Sequence, residues 1–284
     1  MLAEVLIQLV VAVAVLLPVS VVLFVGRERL ARTRAEWRSR LRTNAPVIAA
    51  LIVVLLINRV ARQTAPAISR EIGIHLTATF YNLEGEFILI FQSIASAELT
   101  AYFSTVYVFG YTFLLIFPVI AYFTLSDTRI FRRLLTAYAL NYALGLVLYI
   151  LVIAYGPRNV MPAELAPTML YDTHPQYQYL TREVNANTNV FPSLHTSLSA
   201  TVATFAAMTR SAFPKWFPVA VVLAASVAIS TMYLGIHWGI DVTAGLLLAA
   251  LCVRLSDRLV GRWSLSERFG DRYPRLRNHD RDQD

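Results

Sequence analysis

The chain alternates between long apolar stretches and short polar or arginine-rich connections. Most stretches approach the roughly 20 residues that an α-helix needs to cross a bilayer, although the second is short and ends at Asn58 and Arg59. The pattern predicts about seven transmembrane helices, at 5–25, 46–60, 102–125, 134–155, 190–208, 216–235 and 239–255. We therefore expect an all-α fold, a polytopic membrane helix bundle.

Composition and charge narrow the class of protein. Of the 284 residues, 57% are hydrophobic and only 15% are charged, which is too little charge for an ordinary soluble domain. The net charge of +7 comes from arginines that cluster just after apolar stretches, and no nucleic-acid-binding motif accompanies them. We therefore expect contact with membrane lipids and not with nucleic acid. The single cysteine, Cys252, excludes an internal disulfide and a cysteine metal cluster.

The arginine clusters also predict the orientation of the protein in the membrane. If the spans alternate in direction, the four basic segments share one side: 27–42, 127–133, 210–215 and 254–281. The positive-inside rule makes that side cytoplasmic, with the N-terminus outside and the C-terminus in the cytoplasm. The apolar spans predict an integral, multi-pass protein, and the Arg-rich, Lys-poor composition, which is typical of a GC-rich genome, favours a prokaryotic plasma membrane.

One histidine lies in the turn between the last two spans, on the predicted extracytoplasmic side. Asp241 follows His237 by four residues, so the two side chains share a helix face. A carboxylate there fixes the imidazole tautomer and leaves the other nitrogen able to act as a nucleophile. The same spacing also fits a structural His–Asp pair at a helix N-terminus, so both interpretations stay open.

The second histidine belongs to a Pro-Ser-Leu-His string at the start of the fifth span. Pro192 suits a first helical turn, and Ser193 is then close to the N-cap, beside backbone N–H groups that bind phosphate. His195 can protonate a leaving oxygen. Phosphoryl transfer by these groups needs no metal or other cofactor, although a metal centre built from His195, His237 and Asp241 is a rival interpretation.

Together these motifs resemble the type 2 phosphatidic acid phosphatase superfamily, whose membrane members include lipid phosphatases, polyprenyl diphosphate phosphatases and sphingolipid phosphotransferases. Its second motif is Pro-Ser-X-His and its third is Ser-Arg-X5-His-X3-Asp. The residues that match them in register are Pro192, Ser193, His195, Ser230, His237 and Asp241. The resemblance covers about 46–255 and implies a six-helix phosphatase-like core.

The chain departs from the superfamily pattern at two points. Thr231 replaces the arginine of the third motif, and the first motif, Lys-X6-Arg-Pro, is absent because the only lysine is Lys215, on the opposite side. A Gly-Pro-Arg string ending at Arg158, and the Ser-Thr-X-Tyr-Leu-Gly string from Ser230 to Gly235, resemble the inositol phosphorylceramide synthase-like, or inositolphosphotransferase, branch. The guanidinium of Arg158 suits phosphate oxygens, but it could also reach lipid headgroups at the interface.

The resemblance implies a role for each matched residue. His237 attacks phosphorus and forms a phosphohistidine, Asp241 orients His237, and His195 protonates the leaving group and then activates the acceptor. The residues expected to bind the substrate phosphate are Arg158, Ser193 and Ser230.

The implied function is that of a membrane lipid phosphatase or phosphotransferase. It acts on lipid phosphate esters or diphosphates at the extracytoplasmic face. Its partners are a lipid phosphate, membrane lipids and, for transfer, an alcohol acceptor such as inositol; the sequence predicts no oligomeric state. Two other classes stay open: a non-catalytic lipid-phosphate binding or carrier protein, which the missing Lys and Arg would suit, and a metal-dependent membrane hydrolase.

The expected organisation has three parts. An N-terminal anchor helix and basic cytoplasmic loop occupy 1–43, a membrane phosphatase or phosphotransferase domain occupies 44–256, and a basic cytoplasmic tail occupies 257–284. No internal repeat or separate soluble domain is evident.

The outer loop 61–101 contains an apolar segment, 87–91, that is either an interfacial helix or a re-entrant piece. Glu84, in the same loop, either contacts an acceptor headgroup or lies in a solvated turn. Tyr107 and Tyr111 of the third span recur at helical spacing, so we expect them to be packing or membrane-interface residues.

Overall fold

The computed structural model describes residues 2–161, 165 and 190–262. Six of the described helices are long and apolar enough to cross a bilayer: Leu6–Val25, Arg27–Ala61, Ala97–Phe123, Arg129–Leu151, Trp216–Tyr233 and Gly239–Val260. The fifth predicted span corresponds to a shorter helix of 15 residues, Leu194–Met208. The prediction of an all-α polytopic membrane bundle is confirmed.

Short connections join most of the elements. In chain order they are α1 Leu2–Ser20, α2 Arg27–Ile72, β1 Ile74–His75, α3 Thr77–Glu84, α4 Phe87–Gln92, α5 Ala97–Thr105, α6 Tyr111–Phe123, α7 Arg129–Leu151, β2 Val152–Ile153, α8 Pro157–Val160, α9 Leu194–Met208, α10 Trp216–Tyr233 and α11 Gly239–Arg262. Wider π-helical turns prolong α1 at Val21–Val25 and join α5 to α6 at Val106–Gly110. The first residues of the predicted basic tail, 257–262, continue α11, and the rest of the tail, from 263 onwards, lies outside the described residues.

Helix α2 differs from the expected arrangement. The segment 27–42, expected to be a basic loop, is the first part of a continuous helix of 46 residues, and the predicted span 46–60 is its middle. Arginine, alanine, leucine and glutamate are strong helix formers, so a high density of arginine does not interrupt a helix. At 1.5 Å per residue, α2 is about 69 Å long and extends well beyond a hydrocarbon core of roughly 30 Å.

Two short strands tie α2 to α7. Ile74 pairs with Val152, and His75 pairs with Ile153, in a parallel ladder. Because each strand directly follows its helix, α2 and α7 run in the same direction and end on the same side of the bundle. The apolar pattern did not predict this ladder, since two residues are too few to show a strand period.

The short helix α9 lies inside the bundle, in contact with α6, α7, α10 and α11. Its side chains Leu198, Val202 and Phe205 are fully buried and belong to the same apolar cluster as Phe117 and Trp216. Since neighbouring helices surround α9, its first turn is enclosed by protein and not by lipid.

Polar contacts join the helix ends at one side of the bundle. Arg29 of α2 donates to the carbonyl of Ala212, in the α9–α10 connection, at 2.7 Å. Arg129 and Arg133 at the start of α7 lie 3.2 and 3.3 Å from the carboxylate of Asp257 near the end of α11. The basic segments therefore meet at one end, as alternating spans require, while α9 and α11 begin at the other. That the basic end is cytoplasmic stays a prediction.

Arg40 is the most buried of the described arginines at this end, with 7% of its surface exposed. It donates to the carbonyl of Phe123 at 3.1 Å, to that of Leu125, and to the carboxylate of Glu36.

We predict that Arg40→Ala lowers the free energy of unfolding by about 1.5–3 kcal/mol, because the carbonyls of Phe123 and Leu125 lose a charged donor. Thermal unfolding in detergent measures this. The exposed Arg34→Ala is the control and should stay within about 0.5 kcal/mol of wild type; equal losses would contradict the prediction.

Candidate active site

At the end opposite the arginines, the first turn of α9 faces the turn between α10 and α11. His195 lies in that first turn, and His237 lies in the α10–α11 turn. Their ring centroids are 6.3 Å apart and their planes are inclined at 56°. This separation allows one phosphoryl group to contact both imidazoles.

In the α10–α11 turn, one carbonyl accepts two backbone hydrogen bonds. The N–H groups of Ile236 and His237 both donate to the carbonyl of Thr231, at 2.9 and 3.0 Å. Gly235 has a φ of 64°, a left-handed conformation that glycine adopts without steric cost. A Cβ at Gly235 would also lie 3.2 Å from Leu165. Backbone geometry therefore sets the position of His237.

Asp241 approaches His237 from the first turn of α11, as their spacing predicted. Its Oδ2 accepts a hydrogen bond from the N–H of Trp238 at 2.8 Å and lies 3.4 Å from Nδ1 of His237. Both side chains are buried. The 3.4 Å contact is long for a hydrogen bond, and catalytic contacts of this kind commonly tighten when substrate binds. Asp241 is therefore placed to orient the imidazole.

The environment of His237 favours a neutral ring. Its pKa is lowered to about 3, first because burial disfavours the imidazolium and then because Arg158 carries a positive charge nearby. A hydrogen bond to the carbonyl of Val190 acts in the opposite direction. At neutral pH the imidazole is therefore uncharged, as a nucleophile must be.

Two glycines allow α7 and α11 to approach the first turn of α9. A Cβ at Gly245 would lie 2.6 Å from the carbonyl oxygen of Ser193, and a Cβ at Gly145 would lie 2.7 Å from the side chain of Leu194. The N–H of Ser193 donates to the carbonyl of Asp241 at 3.0 Å. These contacts hold the Pro-Ser-Leu-His motif directly against the His-Asp motif.

The two serines predicted to bind phosphate make bonds within their own helices. Ser193 is the N-cap of α9, as its position predicted, and its Oγ accepts from the N–H of Thr196 at 3.3 Å. The hydroxyl of Ser230 donates to the carbonyl of Val227 at 2.7 Å. Both serines are fully buried. Their contact with phosphate stays a prediction, and for Ser230 it requires that the hydroxyl leave its bond within α10.

Arg158 lies against the α10–α11 turn. Its N–H donates to the carbonyl of Gly235 at 3.0 Å. Gly156 permits this approach, because a Cβ there would lie 2.2 Å from the carbonyl oxygen of Ile236. Pro157 occupies the start of α8, where its missing N–H does no harm. Each residue of the Gly-Pro-Arg string thus helps to bring a positive charge to this turn.

One of the comparisons with known proteins gives a match. A family model described as the PAP2 superfamily matches residues 79–255, from α3 to α11. The chain belongs to the PAP2 superfamily. Curated proteins and solved structures give no match. The match includes both histidine motifs, and membership supports a phosphatase-type function on lipid phosphates.

In this PAP2 site, two tyrosines contact His195. The ring of Tyr107 is stacked on the imidazole at a centroid distance of 4.6 Å, and the ring of Tyr111 lies at 4.4 Å and 44°. Their helical spacing predicted packing or membrane-interface positions. The contact with His195 was missed because it depends on the π-helical turn Val106–Gly110. Such turns are frequent at functional sites, but apolar periodicity does not reveal them.

Glu84 caps the helix that carries Asp241. Its carboxylate accepts from the N–H of Gly239 at 2.8 Å and from that of Ile240. Burial raises the pKa of Glu84, the two backbone hydrogen bonds oppose this effect, and the charge of Asp241 adds to it. The expected solvated turn is therefore wrong for this carboxylate. No local pattern could show that its partners lie more than 150 residues away in the chain.

The metal-centre interpretation finds no support in this geometry. Within 2–161, 165 and 190–262, no group of three His, Cys, Asp or Glu side chains could hold a metal ion.

We predict that Glu84→Ala lowers the free energy of unfolding by about 1–2 kcal/mol, since the start of α11 loses its cap. The same change should lower the rate of phosphate ester turnover, because α11 carries Asp241. Thermal unfolding and turnover are measured on the same detergent preparation. Glu86→Ala, an exposed acid two residues away with no side-chain capping bond, is the control and should match wild type. A loss of equal size in Glu86→Ala would refute the capping role.

Proposed function

We propose that this protein transfers a phosphoryl group from a lipid phosphate ester or diphosphate, by way of a phosphohistidine on His237. The approach of His195 to His237, with 6.3 Å between ring centroids, carries the proposal. Two imidazoles at this distance provide the two groups that such a reaction needs, a nucleophile and a proton donor.

The first step forms the covalent intermediate. A ring nitrogen of neutral His237 attacks phosphorus, the bond between phosphorus and the leaving oxygen breaks, and His195 gives its proton to that oxygen. Asp241 holds His237 in orientation. Arg158 and the first turn of α9 stabilise the negative charge on the phosphoryl oxygens, which is normally the largest contribution to such a rate.

The second step releases the phosphoryl group. His195, now neutral, takes a proton from water or an alcohol as the oxygen attacks phosphorus and the N–P bond breaks. His237 is regenerated. Water gives a phosphatase and an alcohol gives a phosphotransferase. The fit of Gly156, Pro157 and Arg158 against the α10–α11 turn supports the inositol phosphorylceramide synthase-like branch, with inositol as the first acceptor to test.

A lipid substrate is supported by an apolar cavity of about 800 Å³ beside the start of α11. Leu83 and Phe87 line one side, Ala244 lies on α11, and Phe191 and Met232 come from the segments that lead to the two histidine motifs. We propose that this cavity holds a hydrocarbon chain of the substrate. The predicted topology places it at the extracytoplasmic face.

The decisive experiment measures turnover of a panel of radiolabelled lipid phosphates and diphosphates, with and without inositol. Both free phosphate and new phosphodiester are quantified. We predict that His237→Ala and His195→Ala each lower turnover by at least about 100-fold, and that acid-labile, alkali-stable label on the protein is absent in His237→Ala. His75→Ala, an exposed histidine on β1, is the control. Two histidine variants as active as an active wild type would overturn the histidine mechanism. A wild type that turns over no member of the panel would leave a non-catalytic lipid-phosphate binding protein as the better interpretation.

The cavity is tested with substrates of different chain length. We predict that Ala244→Trp raises the KM of a long-chain lipid phosphate by about 10-fold, because displacing two buried methylene groups costs about 1.6 kcal/mol. The KM of a short-chain analogue should not change. Ala250→Trp, an exposed position on α11 outside the cavity lining, should affect neither. Equal effects on the two chain lengths would show that the cavity does not hold the chain.

A further inference from the structure

Tyr107 and Tyr111 come from a part of the chain that carries neither histidine motif. Tyr107 lies within the π-helical turn between α5 and α6 and Tyr111 directly follows it, with the N–H of Tyr111 bonded to the carbonyl of Val106. Tyr107 is only 6% exposed, so it does not belong to a membrane-interface belt. Both rings meet the same imidazole, at 4.6 and 4.4 Å between centroids.

These contacts restrict the orientation of the imidazole. The backbone of His195 is fixed in the first turn of α9, but its ring can still rotate about two side-chain bonds. The stacked ring of Tyr107 and the tilted ring of Tyr111 leave the imidazole few of those rotations. Aromatic faces also attract a positive charge, so the pair favours the protonated ring that must donate to the leaving oxygen.

We propose that Tyr107 and Tyr111 are positioning residues that hold His195 as the proton donor, and so allow turnover of esters with poor leaving groups. The proposal rests on the proposed function. Alkyl esters, including those of lipids, leave as strongly basic alkoxides and need a proton in the transition state. An aryl phosphate leaves as a stabilised phenolate and needs little help. The tyrosine pair is therefore a determinant of which phosphate esters react.

The test compares kcat/KM for an alkyl phosphate and a p-nitrophenyl phosphate in the same preparation. Tyr107→Leu and Tyr111→Leu should each lower the alkyl value by about 10-fold, which is the order of magnitude of an aromatic contact, and the aryl value by less than about 3-fold. Tyr107→Phe and Tyr111→Phe keep the rings and should keep the alkyl-to-aryl ratio of wild type. The ratio of the two values does not depend on how much of a variant folds.

Two controls separate positioning from a general structural effect. Tyr102→Leu removes a 46% exposed tyrosine of α5, bonded to Ser226 and not stacked on His195, and should leave the ratio unchanged. In a His195→Ala background, Tyr111→Leu should cause no further loss on the alkyl substrate, because a positioning residue acts only through its partner.

Three outcomes overturn the proposal: equal losses on both substrates, no loss in the Leu variants, or a further loss in the His195→Ala background. Failure of the proposed function is distinguishable from all three. In that case the wild-type protein turns over neither substrate, or His195→Ala leaves the alkyl-to-aryl ratio unchanged.

Discussion

The hydrogen bond from the N–H of Ser193 to the carbonyl of Asp241, 3.0 Å long, is the constraint on which the site depends. Each group lies at the start of a helix, so the bond fixes α9 against α11 and, with them, the two imidazoles. Gly245 makes the bond possible, because any side chain there would meet the carbonyl oxygen of Ser193 at 2.6 Å. Among the described residues, the site is therefore a junction of two helix starts with the α10–α11 turn.

The parts of the site that could be predicted depend on local spacing. His237 and Asp241 are four residues apart, so any helical geometry brings them together. The arrangement of basic segments brought the second histidine to the same end of the bundle, since alternating spans leave little choice. Arg158 was singled out by a resemblance to the inositol phosphorylceramide synthase-like branch and not by spacing, and the close approach at Gly156 is visible only in the structure.

The parts that could not be predicted depend on packing between distant segments. The contacts of Tyr107 and Tyr111 with His195 depend on the π-helical turn, because one residue more or less between them would rotate one ring relative to the other by about 100°. Glu84 reaches the start of α11 only because α3 folds back against it. The continuity of α2 was missed because charge density was taken as evidence for a loop, whereas arginine is a good helix former.

The departures from the superfamily pattern change the charge around the phosphoryl group. Thr231 is fully buried and its hydroxyl donates to the carbonyl of Ala228 at 2.7 Å, so it supplies no cation in place of the usual arginine. Arg158 supplies one from α8, and burial together with this charge lowers the pKa of His237 and keeps its imidazole neutral. In the proposed mechanism, the smaller number of cations therefore does not weaken the attack by His237. It weakens the stabilisation of the negative charge that develops on the phosphoryl oxygens, and the start of α9 must then contribute more of that stabilisation.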